Sequence, residues 1–256
     1  MDILFGGLPA WAFWTACAVA LGAGFVKGAI GFAMPLIMMS AFGSFMPPDL
    51  ALAGLILSTV TTNVHQALRD GWGPARDAAW KYRRMIAMIV VGIVVTAPLV
   101  PYLPQRVLMG LLGVPVLAFA LVQIAGVPLK LKLEHQTRAE YGLGIVGGLY
   151  GGVSGIWGPP VIVYLLSIGA GKAETVRVQG VTFLLGAVVL MGAHLNSGVL
   201  NAVSLPFSAA LVVPAAVGMW LGFLLQDRLD PARFRRWTLI LLALTALNLL
   251  RKAVMG

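Results

Sequence analysis

Residues Gly147–Pro160 read GGLYGGVSGIWGPP, a glycine run that ends in two prolines. A shorter echo, GFVKGAIGFAMP, occupies Gly24–Pro35. A shift of 124 residues lays Gly24 on Gly148, Gly28 on Gly152, Gly31 on Gly155 and Pro35 on Pro159. Apolar sequence flanks each copy on both sides. Glycine and proline within such sequence break or bend a helix. In a bilayer, a broken backbone persists only where protein buries it or where it lines a cavity. Two breaks at corresponding places in two halves are the sequence pattern of a binding region between transporter repeats.

Composition agrees with a membrane setting. Of 256 residues, 59% are hydrophobic and 11% charged, with a mean hydropathy of +0.92. Soluble chains carry about 25% charged residues. No detachable leader is expected, because Met1-Asp2 lacks a basic segment and leads directly into an apolar span. The net charge of +9 sits mostly in short loops between apolar spans. That is the positive-inside pattern of a membrane protein, and it argues against nucleic acid as a partner. Cys17, the only cysteine, leaves no intrachain disulfide and no cysteine metal cluster. No cofactor motif is present.

Working outward, apolar spans are expected at 8–26, 30–46 and 50–68, then at 85–100 and 107–126. The basic loop Arg69–Arg84 reads as cytoplasmic, with a short interfacial helix near Ala75–Tyr82. The second half repeats this order: 142–153, the break, 156–168, then spans at 175–195, 205–225 and 237–250. The expected organisation is a first transmembrane repeat (1–126), a cytoplasmic linker (127–141) and a second repeat (142–256). With the basic loops inside, the halves have opposite orientations. The fold class is therefore an all-α polytopic membrane protein of two inverted-topology repeats, each a broken or re-entrant helix hairpin plus three transmembrane helices. The segment 142–153, about 12 residues, is too short to cross alone and favours re-entry there.

These residues carry a resemblance. Two glycine-rich breaks run into proline, and each is followed by a span with small and hydroxyl residues (50–67 and 175–192). Polar turns, Arg69-Asp70-Gly71-Trp72 and Asn196-Ser197-Gly198, close those spans. The pattern resembles the TauE/SafE sulfite-exporter-like transporters over nearly the whole chain. The resemblance implies a multi-pass inner-membrane protein that moves small sulfur-containing or carboxylated anions such as sulfite or sulfonates. In this chain Phe25, Val26 and Lys27 interrupt the first glycine run.

A census of ionisable groups points to the same chemistry independently. All nine acidic residues fall in loops or at span ends, whereas Lys27, His65, Arg177 and His194 fall in or near spans and breaks. A charge at the bilayer centre costs about 3 kcal/mol on the lenient scale. Cations without carboxylate partners call for an anionic substrate. Pro35 and Pro159-Pro160 suit the first turns of outgoing half-helices, whose N-termini attract anions. The candidate substrate-binding residues are Lys27, Gly28, Gly31, Asn63, His65, Ser154, Gly155, Trp157, Arg177, Gln179 and His194. Each has a plainer reading: Lys27 and Arg177 as interface anchors, the glycines as packing sites, the Thr59, Thr61, Thr62 cluster bonding back to its own helix. A coupling proton on a histidine and a homodimer both stay open.

Two other functions fit parts of the pattern. Gly152-Val-Ser-Gly155 matches the G-x-S-G string of intramembrane serine proteases, with His194 as the base. Against that, Pro159-Pro160 follows within six residues and the position equivalent to Ser154 is Ile30. A passive anion channel is the second. The reading favoured is a non-enzymatic secondary transporter that binds a small anion between the breaks and works by alternating access.

Overall fold

The computed structural model describes residues 2–128, 135–225 and 231–255. Every regular element among them is helical. In chain order these are α1 (Ala10–Ile30), α2 (Met34–Phe42), α3 (Pro48–Leu68), α4 (Trp72–Lys81), α5 (Arg83–Thr96) and α6 (Gln105–Ile124). Then follow α7 (Gln136–Ser154), α8 (Gly158–Ser167), α9 (Lys172–Asn196), α10 (Ser204–Ala210), α11 (Val212–Leu225) and α12 (Pro231–Met255).

Six stretches are long and apolar enough to cross a bilayer: Ala10–Ala29, Arg83–Tyr102, Gln105–Ile124, Ala173–Asn196, Ser204–Leu225 and Arg236–Met255. The protein is a multi-pass, all-helical membrane protein. Its tryptophans sort accordingly. Trp11, Trp14, Trp72, Trp80, Trp220 and Trp237 are exposed, as in an interfacial belt, and only Trp157 is buried. Helix α3 has the length of a span, 21 residues, but carries a polar face. It turns that face inward: Ser58, Thr59, Thr62, Asn63 and Gln66 are all buried.

Both breaks form by the same local chemistry. Gly31 closes α1 with φ 85°, and Gly155 closes α7 with φ 71°, the left-handed conformation glycine adopts without a Cβ clash. Their N–H groups bond Lys27 O and Gly151 O, each at 2.7 Å. Proline then stands in the first turn of α2 and of α8. The outgoing helices have 9 and 10 residues, about 15 Å, or half a membrane.

One expected boundary is corrected. The incoming arm of the second break is not a 12-residue segment but the 19-residue α7, which starts at Gln136. At 1.5 Å per residue it spans about 28 Å. Its added turns are polar, yet Glu140 is buried there because Tyr164 Oη donates to it at 2.9 Å and Arg84 lies 3.8 Å away. Helix α12 likewise starts at Pro231, ahead of the expected 237. Within the expected linker 127–141, residues 129–134 lie outside the described residues, and 136–141 are already helix. Part of the arginine loop, 226–230, also lies outside them.

Packing crosses between the halves. Helix α1 packs mainly on α11, α7 on α5, α3 on α9 and α6 on α12. The glycines make the first two contacts possible. A Cβ on Gly24 would lie 2.1 Å from Ala215 O, and one on Gly218 1.9 Å from Leu21 O. A Cβ on Gly148 would lie 2.4 Å from Ile89 O, and one on Gly92 2.5 Å from the Gly148 backbone. Small residues let backbones approach this closely, which is how helices associate where lipid removes the hydrophobic drive. Helices α3 and α9 run antiparallel: Gln66 near the end of α3 donates to Val176 O at the start of α9, at 3.2 Å.

Gly24→Leu is expected to destabilise the purified protein by at least about 1–3 kcal/mol, the usual range for overpacking. Gly22→Leu, which points into open space, is expected to be neutral. Thermal unfolding of the two variants in detergent checks this.

Candidate functional site

The two breaks meet between α3 and α9. Gly31 lies by Gln66 of α3 and Val176 of α9. Gly155 lies by Leu52 and Leu55 at the other end of α3 and Leu190 at the other end of α9. Between the breaks is a small cavity of about 20 Å³, lined by Phe32, Ala33, Thr59, Ile156, Trp157 and Phe183 among others. That volume is about one water molecule's. The lining falls into equivalent pairs under the same 124-residue shift: Phe32 with Ile156, Ala33 with Trp157, Thr59 with Phe183.

Several donors on residues of the lining lack partners. Among the described residues the backbone N–H groups of Phe32, Ala33 and Trp157 make no hydrogen bond. Thr59 Oγ1 and Trp157 Nε1 are buried and unpaired as well. Orphaned buried donors are uncommon and each costs about 1–3 kcal/mol. Ala33 also holds φ 78°, the one left-handed non-glycine among the described residues. Such strain costs about 1–3 kcal/mol and concentrates at functional sites.

Lys27 is linked through Thr62 to Met34 at the start of α2, next to Phe32 and Ala33 of the lining. It is 2% exposed. Its Nζ donates to Thr62 Oγ1 at 2.9 Å and to Asn63 Oδ1. Thr62 Oγ1 in turn lies 3.9 Å from the sulfur of Met34, the first residue of α2. Among the described residues the ion pairs are Lys81–Glu174, Arg84–Glu140 and Arg177–Asp70, and none includes Lys27. Lys27 and Asn63, both singled out from the sequence, are thus bonded to each other. Thr62, read from sequence as bonding back to its helix, does so to Ser58 O at 2.7 Å and accepts from Lys27 too.

The remaining candidates divide. Gly31 and Gly155 form the breaks. Trp157 walls the cavity, its ring wedged between Gly151 and Gly186. Gln179 is buried, with Oε1 3.7 Å from the space beside Gly31. Gly28 faces α11 instead: a Cβ there would meet Met219 O at 2.2 Å, so its bareness serves packing. Ser154 is fully used locally, donating to Tyr150 O at 2.7 Å and accepting from Ile156 N–H at 3.0 Å. Arg177 is occupied by Asp70 at 2.9 Å, which corrects its reading as a cation without a carboxylate partner. His65 is on the exposed face of α3 against Phe223, ring centroids 5.5 Å apart. His194 is buried one turn beyond Leu190, with Nδ1 3.3 Å from Ser197 Oγ. It makes no bond to Ser154, so the geometry offers no nucleophile–base pair.

Three residues escaped the sequence reading: Thr59 as a cavity donor, Gln66 and Phe183. Gln66 Nε2 donates to Gly31 O at 2.9 Å and so anchors the first break. The signal was available. Thr59, Asn63 and Gln66 recur at helical spacing, and extending the 124-residue shift beyond the breaks reaches Phe183.

The two ends of the α3–α9 pair differ. At the Arg69–Arg84 end, Asp70 pairs with Arg177, and Lys81 and Tyr82 both bond Glu174. Burial, then the hydrogen bond and charge of Glu174, push the Tyr82 phenol up, which keeps it a donor. At the opposite end lies an open depression of about 460 Å³ bordered by Val94, Tyr102, Asn196 and Ser197. A second, of about 310 Å³, adjoins it near Asp49 and Gly198.

Comparison with known families now places the chain. The family model described as "Sulfite exporter TauE/SafE" matches residues 16–249. The chain belongs to the TauE/SafE sulfite exporter family, a family of membrane transporters. No curated protein and no solved structure matches it.

Ala33→Gly is expected to raise the unfolding temperature by relieving φ 78°, worth about 1 kcal/mol, while Gly31→Ala lowers it. Differential scanning fluorimetry of both variants checks the pair.

Proposed function

We propose that the protein is a secondary transporter of a small oxyanion (sulfite, an organosulfonate or a short carboxylate) in the cell's inner membrane, and that it works by alternating access. One observation carries this: Lys27 is a buried ammonium with no carboxylate partner among the described residues, linked through Thr62 to the start of α2, where residues of the cavity lining hold unpaired donors. A buried cation of this kind costs several kcal/mol unless a counter-charge offsets it. A small anion at the N-terminus of α2 supplies that charge and takes up the donors. The reading further takes the halves as inverted repeats. Its support is that equivalent helices α3 and α9 run antiparallel and that α1 pairs with α11 as α7 pairs with α5.

A carrier suits this geometry better than a passive channel. The cavity holds only about 20 Å³, Leu52, Leu55 and Leu190 pack over Gly155 in its lining, and ion pairs tie the Arg69–Arg84 end of α3 and α9. With the basic loops cytoplasmic, the arrangement is one closed inside and partly open outside. Neither His65 nor His194 lines the cavity, so a coupling proton would enter by another route.

Uptake of ³⁵S-sulfite and of labelled sulfonates into proteoliposomes tests the reading. Lys27→Ala is expected to reduce transport roughly thirtyfold or more, the effect of losing about 2 kcal/mol from a buried charge pair. Arg177→Ala is expected to retain it within a few-fold. Full activity in Lys27→Ala removes Lys27 from the site, and flux of cations alone overturns the function. Separately, Asp70→Asn with Glu174→Gln is expected to speed maleimide labelling of a Val176→Cys reporter from the cytoplasmic side roughly fivefold. This follows from about 0.5 kcal/mol per exposed pair.

A further inference from the structure

We infer that the site is one-headed: a single oxyanion group binds at α2, and Phe183 with Trp157 forms an apolar wall that receives the substrate's substituent and limits its size. This rests on the anion-carrier reading and adds the substrate's shape and the residue that selects it.

The argument compares equivalent positions of the two halves. In the first, Lys27 donates to Thr62 beside the start of α2, and Thr59, whose hydroxyl is unpaired, lines the cavity. The 124-residue shift maps Lys27 to Gly151, Thr62 to Gly186 and Thr59 to Phe183. The second half therefore has bare glycines where the first has its cation and its hydroxyl. The indole of Trp157 fills that space. A Cβ on Gly151 would lie 2.7 Å from Trp157 Cε3, and one on Gly186 2.8 Å from Trp157 Cε2 and Cζ2.

Phe183 completes the exchange. Its ring stands at an edge to Trp157, with centroids 6.3 Å apart and planes at 81°. Its tip lies 3.4 Å from where a Cβ on Gly158 would be, so it covers the start of α8. The α8 terminus is screened by an aromatic ring, whereas the α2 terminus has a hydroxyl and an ammonium. Thr59, 2% exposed and unpaired, and Lys27, 2% exposed, are independent signs that the head binds at α2. A dianion with charges at both ends would set its second charge against Phe183. A monoanion with a short apolar substituent satisfies both walls.

Trp157 is held between two helices by the glycine contacts, so it is the fixed part of the wall. Phe183 projects from α9 alone and is the part whose size sets the limit. Inhibition of ³⁵S-sulfite uptake by methane-, ethane-, propane- and butanesulfonate, and by ethane-1,2-disulfonate, tests this in proteoliposomes. In the wild type, inhibition is expected to improve with chain length up to a cut-off, and the disulfonate is expected to be inert. Phe183→Ala moves the cut-off to longer chains, with about fourfold tighter inhibition for each further methylene admitted, the value of one buried CH₂. Phe183→Leu, a milder change for folding, gives a smaller shift in the same direction. An unchanged cut-off in both variants, or a disulfonate as potent as ethanesulfonate, overturns the inference while leaving the carrier reading intact. Failure of the wild type to take up sulfite or to bind any of these anions, read by thermal shift, overturns the carrier reading and the inference together.

Discussion

A lone ammonium in the interior of a membrane protein constrains everything around it. Lys27 is enclosed by α1, α3 and the start of α2, with neutral oxygens of Thr62 and Asn63 as its bonded partners. Neutral oxygens solvate an ammonium but do not neutralise it. Much follows from that charge. Helix α3 must turn a polar face inward. The first break lies close by, joined to Lys27 through Thr62 and Met34 at the start of α2. Arg177 pairs with Asp70, Arg84 with Glu140 and Lys81 with Glu174.

The glycines do two jobs that sequence spacing does not separate. Gly31 and Gly155 adopt positive φ and end helices. Gly24, Gly28 and Gly148 lie inside helices and admit a neighbouring backbone. The second job supports the first. Close contact of α1 with α11 and of α7 with α5 fixes the incoming arms, which leaves the breaks rigid enough to hold unpaired N–H groups in place. Site and packing are therefore coupled through one glycine-rich pattern, and this explains why the pattern is duplicated with its spacing intact.

Sequence reading reached the breaks, the cation and the class of protein, because these depend on residue type and local order. It named Lys27 and Asn63 separately, and the structure joins them by a hydrogen bond. It overvalued Arg177, His65 and Gly28, since a charge or a glycine near a break looks the same whether it faces the cavity, an ion-pair partner or a packed helix. Ser154 was drawn in by its place in the motif, yet its hydroxyl serves the turn itself. Phe183 carries no polar signal, and only its position opposite Thr59 gives it meaning.

What the sequence by itself determined is the membrane class, the duplicated order and the location of both breaks. These follow from apolar runs, from glycine's freedom at positive φ and from proline's fit to a first helical turn. What only the tertiary structure decided is which side chains surround the point where the breaks meet. That depends on the rotation of α3 and α9 about their axes, a matter of roughly 100° per residue that hydropathy records faintly when a helix is buried all round. Packing chose the face that brings Thr59 and Lys27 to one side and Trp157 and Phe183 to the other.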